Sequence, residues 1–302
     1  MAKSWCRSIS IIRCSASSAS ATWPGPPPTC ARGFLLGGIA GRTTINGEGL
    51  QHEDGHSLLW ASWVPNCISY DPAFAYELAV IVQDGLRRMV QDQEDVYYYL
   101  TVMNENYAQP PMPAAPHTAQ HILKGMYAFD ATGAGDGAPR VQLMGAGTMF
   151  NEVIAAAAML RDEWGVGADI WGVPGLTLLA RDGQATEREH LLHPESPRRL
   201  PHVTQLLQDT VGPVIVATDY VHSLAEQIRP YVPRRYVVLG TDGLGRSDTR
   251  AALRHFFEVD RRWITVAALK ALADDGAIPA ARVADAIRQY GIDPDKPNPL
   301  GV

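Results

Sequence analysis

No uninterrupted apolar run in this chain approaches the roughly 20 residues that a membrane-spanning helix needs. Nor does it have the excess of basic residues that marks a nucleic-acid surface: 26 Lys and Arg stand against 32 Asp and Glu, a formal net charge of −6. Cysteine is scarce. Cys6, Cys14, Cys30 and Cys67 match neither a zinc ribbon nor a small disulfide scaffold, so a reducing, cytoplasmic compartment is the expectation. The apolar stretch behind Lys3 and Arg7 is cut short by Arg13 and Cys14, too early for a signal peptide. No phosphate-binding P-loop is present, and no convincing Ser-His-Asp order.

What is present is a globular composition, 46% apolar over 302 residues, after an atypical start. Residues 1–30 include a Ser/Ala run and the string WPGPPPT. They show no helical or strand period and read as disordered. From Gly33 the pattern is ordered. Residues 41–56 form a polar, Gly-rich loop, and 66–70 a short buried strand. Phe74 to Gln91 reads as a helix started by Asp71 and Pro72, with Leu78, Val82, Leu86 and Met89 near one face. VYYYLTVM at 96–103 is a strand.

The proline-rich PPMPAAP at 110–116 reads as a linker. Beyond it, strands are expected at 140–144, 168–173, 213–218 and 236–239. Helices are expected at 148–164, 176–192, 222–231, 261–274 and 280–290. Alternation of this kind predicts a mainly parallel sheet covered on both faces. The fold class is therefore α/β, with a partial α/β unit followed by a complete one.

Three motifs invite chemistry. HEDGH at 52–56 matches the zinc-protease pattern H-E-x-x-H, which needs both histidines on one helical face. Gly55 between the histidines and the glycines just upstream favour a turn instead. The whole segment 41–56 reads either as a polar loop at a cofactor site, suited to proton transfer, or as a solvated surface loop. Gly145 and Gly147 follow a strand, but Phe150 stands where a dinucleotide fingerprint needs a third glycine, so a tight turn is expected. GTDGLGRSD at 240–248 lies at the carboxyl end of a strand. It reads as a turn with Ser247 or Asp248 capping a helix from Thr249, and as a lesser candidate for ligand contact.

The strings GRTTINGEGLQHEDGHS, PNCISYDPAFAYELAVIVQDGL, VYYYLTVMNENYAQPPMP, VGADIWGVPGLTLLARDGQ, VIVATDY and YVVLGTDGLGRSD together resemble the homodimeric-type pyruvate dehydrogenase E1 component, from about Ala31 to Val302. The resemblance implies a truncated pyrimidine-binding α/β domain over 31–112, a linker at 113–120 and a complete transketolase C-terminal-like α/β domain over 121–302. It implies oxidative decarboxylation of pyruvate with thiamine diphosphate and Mg²⁺. The partners implied are a second E1 subunit and the E2 dihydrolipoyl acyltransferase, with no nucleic acid and no membrane. QHEDGH in this family approaches the thiazolium and substrate, which assigns a catalytic role to His52 and a lesser one to Glu48. No firm role follows for His56.

The family's diphosphate and Mg²⁺ ligands belong to a domain that has no match here, so the chain alone is expected to be inactive. The alternative is a non-catalytic α/β dimerisation module or a gene-fragment product. Residues 1–30 carry none of the strings on which the resemblance rests. Read in another frame with plausible codons, Trp5 to Cys30 gives a segment resembling the strand and helix that precede ARGFLLGG. A frameshift reversed near Ala31 is therefore predicted. Direct reading of the locus should find that segment in an alternate frame, and its absence from every frame would remove the idea.

Overall fold

The computed structural model describes residues 10–15, 32–38, 40–46, 50–135 and 137–302, with the main chain alone described for 10–15 and 51. Two sheets form the framework. The first contains β1 (Ser10–Ser15), β2 (Gly33–Gly38), β3 (Cys67–Tyr70) and β4 (Tyr97–Val102), in the order β1-β2-β4-β3, all parallel. Helices α1 (Ser57–Ser62) and α2 (Ala75–Leu86) belong to this unit.

After α3 (Thr118–Lys124) come β5 (Tyr127–Thr132), β6 (Arg140–Gly145), α4 (Met149–Trp164), β7 (Gly167–Gly172), α5 (Leu176–Leu192) and α6 (His202–Leu207). The chain continues through β8 (Val214–Ala217), α7 (His222–Glu226), β9 (Tyr236–Leu239), α8 (Arg250–Phe256), α9 (Arg261–Asp274) and α10 (Ala281–Gln289). The second sheet has the order β5-β7-β6-β8-β9 and is parallel except for β5, which pairs antiparallel with β7 at one edge.

Most strands and long helices lie where the periodicity places them; 110–114 has no regular structure, whereas 118–120, inside the 113–120 linker of the resemblance, belong to α3. Several expectations are corrected. Ser10–Ser15, inside the stretch read as disordered, is a strand whose main chain pairs in register with Gly33–Gly38. The run SIIRCS is too short to show a period, yet an adjacent parallel strand supplies its hydrogen bonds. The rest of 1–30 lies outside the described residues.

Helix α2 starts at Ala75, one residue after the expected Phe74, and its start is set not by Asp71 and Pro72 but by the side chain of Glu77, which reaches back to the main-chain N–H groups of Ala73 and Phe74. Its buried residues Glu77, Ile81 and Gly85 each lie one position before Leu78, Val82 and Leu86 of the stripe read from sequence; Met89 is buried as expected, and Leu86 is exposed. The helix then widens into a π-type turn over Arg87–Gln91. Helix α8 is capped by Thr249, whose hydroxyl accepts from Ala252 N–H at 3.3 Å, rather than by Ser247 or Asp248. The short elements α1, α3, α6 and the edge strand β5 had no periodicity long enough to read.

Alternation along the strands sorts the apolar side chains into two cores, and each core runs through both units. Tyr98 and Leu100 of β4 join Leu143 of β6 and Ile215 of β8 in one, together with Phe150 and Phe257. Tyr97 and Tyr99 join Met144, Val216 and Leu224 in the other. In the first sheet Phe34, Ile68, Tyr98 and Leu100 are buried.

Polar contacts reinforce the junction. Arg181 of α5 donates to the carbonyls of Cys67 at 2.6 Å, Val64 at 2.8 Å and Ser62 at 2.9 Å, closing the C-terminal end of α1. Leu143→Ala is therefore expected to cost about 3 kcal/mol. The loss should appear in both units at once, as faster hydrogen exchange in β4 as well as in β6. Faster exchange confined to β6 would mean that the units are energetically separate.

Candidate active-site loop

The polar loop read at 41–56 is folded by a buried carboxylate that sequence reading did not single out. Asp219 follows β8 at its carboxyl end and is inaccessible. Its Oδ1 accepts from the main-chain N–H of Thr43 at 2.9 Å and from the Thr43 hydroxyl at 2.7 Å, and its Oδ2 accepts from the Thr44 hydroxyl at 2.7 Å. Thr44 is in turn 2.8 Å from the hydroxyl of Thr148, at the start of α4. Burial pushes the Asp219 carboxyl up, against the pull of these donors and of Arg254. Gly41 has a φ of +91°, and a Cβ there would lie 2.2 Å from Asp219 Oδ2, so only glycine lets the loop approach.

The loop is held from a second side by α8. Arg250 Nε donates to the carbonyl of Thr44 at 2.7 Å, and its Nη2 reaches Asn104 Oδ1 at 3.1 Å. Arg254 is buried and paired with Glu105, which fixes the NENY string after β4 to the same helix.

HEDGH is a turn and not a helix. Leu50–His52 is one 3-10 turn and α1 begins only at Ser57, so His52 and His56 share no helical face and the zinc-protease geometry is not formed. His52 is half-buried at the end of the turn. Glu48, the second residue singled out from sequence, lies outside the described residues. His56 packs edge-on against Trp60, ring centroids 4.5 Å apart. Asp54 caps α1, with Oδ1 accepting from His56 N–H at 3.0 Å and Ser57 N–H at 2.9 Å.

Glu53 is buried and accepts from the main-chain N–H of Arg246, while its Oε1 has no partner among the described residues. Burial raises its carboxyl to about 7, opposed by the Arg246 N–H and by Arg42. Arg42 donates to the carbonyl of Gly243.

A further buried carboxylate, Asp71, joins the two units. Its N–H donates to Pro174 O at 2.7 Å, its carbonyl accepts from Gly147 N–H at 3.0 Å, and its Oδ1 accepts from the Thr101 hydroxyl at 2.6 Å. Oδ2 has no partner among the described residues. Gly147, read as part of a strand-to-helix turn, is a glycine because a Cβ would lie 2.5 Å from Asp71 Oδ2. Sequence reading used Asp71 as a helix start. An apolar strand ending in an acid, as in CISYD and VIVATD, is the signal that would have marked both Asp71 and Asp219.

Burial raises Asp71 to about 8, far above the ordinary aspartate value of about 3.9. The folded state therefore holds more protons than the unfolded state between these values, and stability falls as pH rises through that window. Asp71→Asn is expected to flatten the decline between about pH 5 and pH 8, read from urea-unfolding midpoints. An unchanged slope would show that Asp71 is not the group responsible.

Comparison with known proteins matches residues 21–110 to the middle domain of the pyruvate dehydrogenase E1 component and residues 125–260 to the transketolase-like C-terminal domain. Pyruvate dehydrogenase E1 component of Cupriavidus necator is 65% identical over 272 residues, that of Pseudomonas aeruginosa 56% over 271, and that of Escherichia coli 52% over 271. These alignments cover 89–90% of this chain, which spans about 30% of the length of each relative.

Solved structures share the fold at low identity. A transketolase from Leishmania mexicana superposes with a TM-score of 0.58 at 15% identity, covering 82% of this chain and 32% of its own. A split-gene transketolase described as an inactive β4 tetramer gives 0.54 at 18%, covering 87% and 76%. The chain belongs to the pyruvate dehydrogenase E1 component family.

Proposed function

We propose that this chain is the C-terminal portion of an E1 subunit that acts on pyruvate with thiamine diphosphate and Mg²⁺ and passes the acetyl unit to the lipoyl group of E2 dihydrolipoyl acyltransferase. It would work with a second E1 subunit in the cytoplasm. Among the described residues no helix is long and apolar enough to cross a membrane. The observation that carries the proposal is the half-buried His52 on a turn pinned between two α/β units, beside the carboxyl ends of β8 and β9, in a chain 65% identical to a named relative. His52 would supply a proton or a hydrogen bond to the oxyanion that develops on the substrate, with Glu48 in a supporting role.

The described residues do not by themselves fit a magnesium diphosphate group. No three Asp, Glu, His or Cys side chains among them converge as a metal site. Of the arginines around the turn, Arg42 donates to Gly243, Arg250 to Thr44 and Asn104, and Arg254 pairs with Glu105, while Arg246 stacks on Phe256 and its Nε, like Arg42 Nε, has no partner among the described residues. The charge-assisted contacts that such a group needs would come from polypeptide beyond this chain. That observation also favours the second reading, an α/β dimerisation module or gene-fragment product without activity of its own.

Calorimetric titration of the whole chain with thiamine diphosphate and Mg²⁺ is expected to show no specific heat, and saturable binding would overturn this division of labour. In a frame-corrected full-length enzyme, His52→Ala is expected to lower kcat by about 10²-fold or more. Full activity there would remove His52 from the chemistry.

A further inference from the structure

The GTDGLGRSD loop at 240–248 is not absorbed by the proposed activity, and it lies against the His52 turn. It leaves the carboxyl end of β9 and is fixed at its root: Thr241 N–H donates to Tyr220 O at 2.9 Å, and the Thr241 hydroxyl donates to Asp219 O at 3.0 Å. From there it runs between two surfaces.

On one side lies the C-terminal turn Pro299–Gly301. This turn is closed by Asn298, whose carbonyl accepts from Gly301 N–H at 2.9 Å and whose Oδ1 accepts from Leu300 N–H at 2.9 Å. Gly243 sits against it with a φ of +99°, and a Cβ there would lie 2.4 Å from Pro299 O. On the other side lies the His52 turn. Arg42 donates to Gly243 O and Glu53 accepts from Arg246 N–H. A Cβ on Gly245 would lie 2.6 Å from Glu53 Oε2, 2.9 Å from Glu53 Cβ and 3.0 Å from Leu50 O.

Both glycines are therefore required by close approach, one to each neighbour. Among the described residues the 3-10 turn itself is closed weakly, by Glu53 N–H to Leu50 O at 3.4 Å. A single three-residue turn of this kind has little stability of its own. Its position must come from the side chains that tether it, and Glu53, immediately after His52, is one of these.

We infer that segment 240–246 is a strap that positions His52. It is backed by the C-terminal turn and acts through Glu53 as a positioning residue. The proposal rests on the reading of His52 as a catalytic group only for its functional meaning, because the strap itself is a matter of where the imidazole is held. Glu53 needs to be an acceptor and not a charge, since its partner is a main-chain N–H. This separates the strap from an ion-pair role.

The test is histidine-selective NMR of the whole chain, with the His52 ring resonance identified by its loss in His52→Gln. Glu53→Ala is expected to move or broaden that resonance beyond its parent linewidth, and Glu53→Gln, which keeps the acceptor, to restore it. Gly245→Ala is expected to reproduce the Glu53→Ala change, whereas Gly133→Ala, where a Cβ meets nothing within 4 Å, leaves the resonance in place. Deleting 298–302 should also move it, through loss of the backing turn.

A His52 resonance unmoved by Gly245→Ala and by the deletion would overturn the strap, even if Glu53→Ala fails to fold. Glu53→Gln behaving like Glu53→Ala would overturn Glu53 as the acceptor. None of these outcomes depends on whether His52 transfers a proton, so failure of the strap and failure of the catalytic reading remain distinguishable.

Discussion

The Asp219 carboxylate is the fixed point from which the rest of the site is built. It is fully buried and takes hydrogen bonds from three donors on one short stretch of loop. Removing such an acceptor would leave those donors bare in a medium where an unmet hydrogen bond costs about 1–3 kcal/mol. The loop therefore has one strongly preferred seat. Because only Thr218 separates Asp219 from β8, that seat is referred to an interior strand of the second sheet. The arginines of α8 then add a second set of restraints from another element of the same unit.

Sequence and structure agree best where one face of an element is long enough to show its period. α4, α5 and α9 lie where their patterns place them, and so do β6 and β9, because a sixteen-residue helix or a strand bounded by turn residues leaves a clear trace. Helix α2 shows the limit of that reasoning. Its apolar stripe suggests one face, but Glu77 is buried on a neighbouring one because Tyr127, from the other unit, donates to it at 2.8 Å. A contact fifty residues away cannot be read from a local window.

The site was legible in part for the same reason. The 41–56 loop announces itself by its glycines and ionisable residues, and His52 is placed by resemblance. What stayed hidden were the acceptors supplied from afar: Asp219 for the threonines, Gly243 O for Arg42, and Glu105 for Arg254. Each joins residues more than a hundred positions apart. GTDGLGRSD was visible as a Gly-rich turn, but the reason for Gly243 and Gly245 is tertiary, since the atoms they make room for belong to Pro299 and to Glu53 and Leu50.

The two continuous cores also bear on how this chain can exchange parts with its relatives. The proline-rich stretch near 110 is a boundary along the chain, the natural place to cut and rejoin. In the packed molecule it is not a boundary at all, because β4 side chains share both cores with β6 and β8. A hybrid joined there would inherit mismatched halves of two interiors and a guanidinium, that of Arg181, aimed at carbonyls in a foreign neighbour. Recombination among such proteins should therefore be tolerated only between partners whose sheet faces already interdigitate, which ties the two units to a shared evolutionary history.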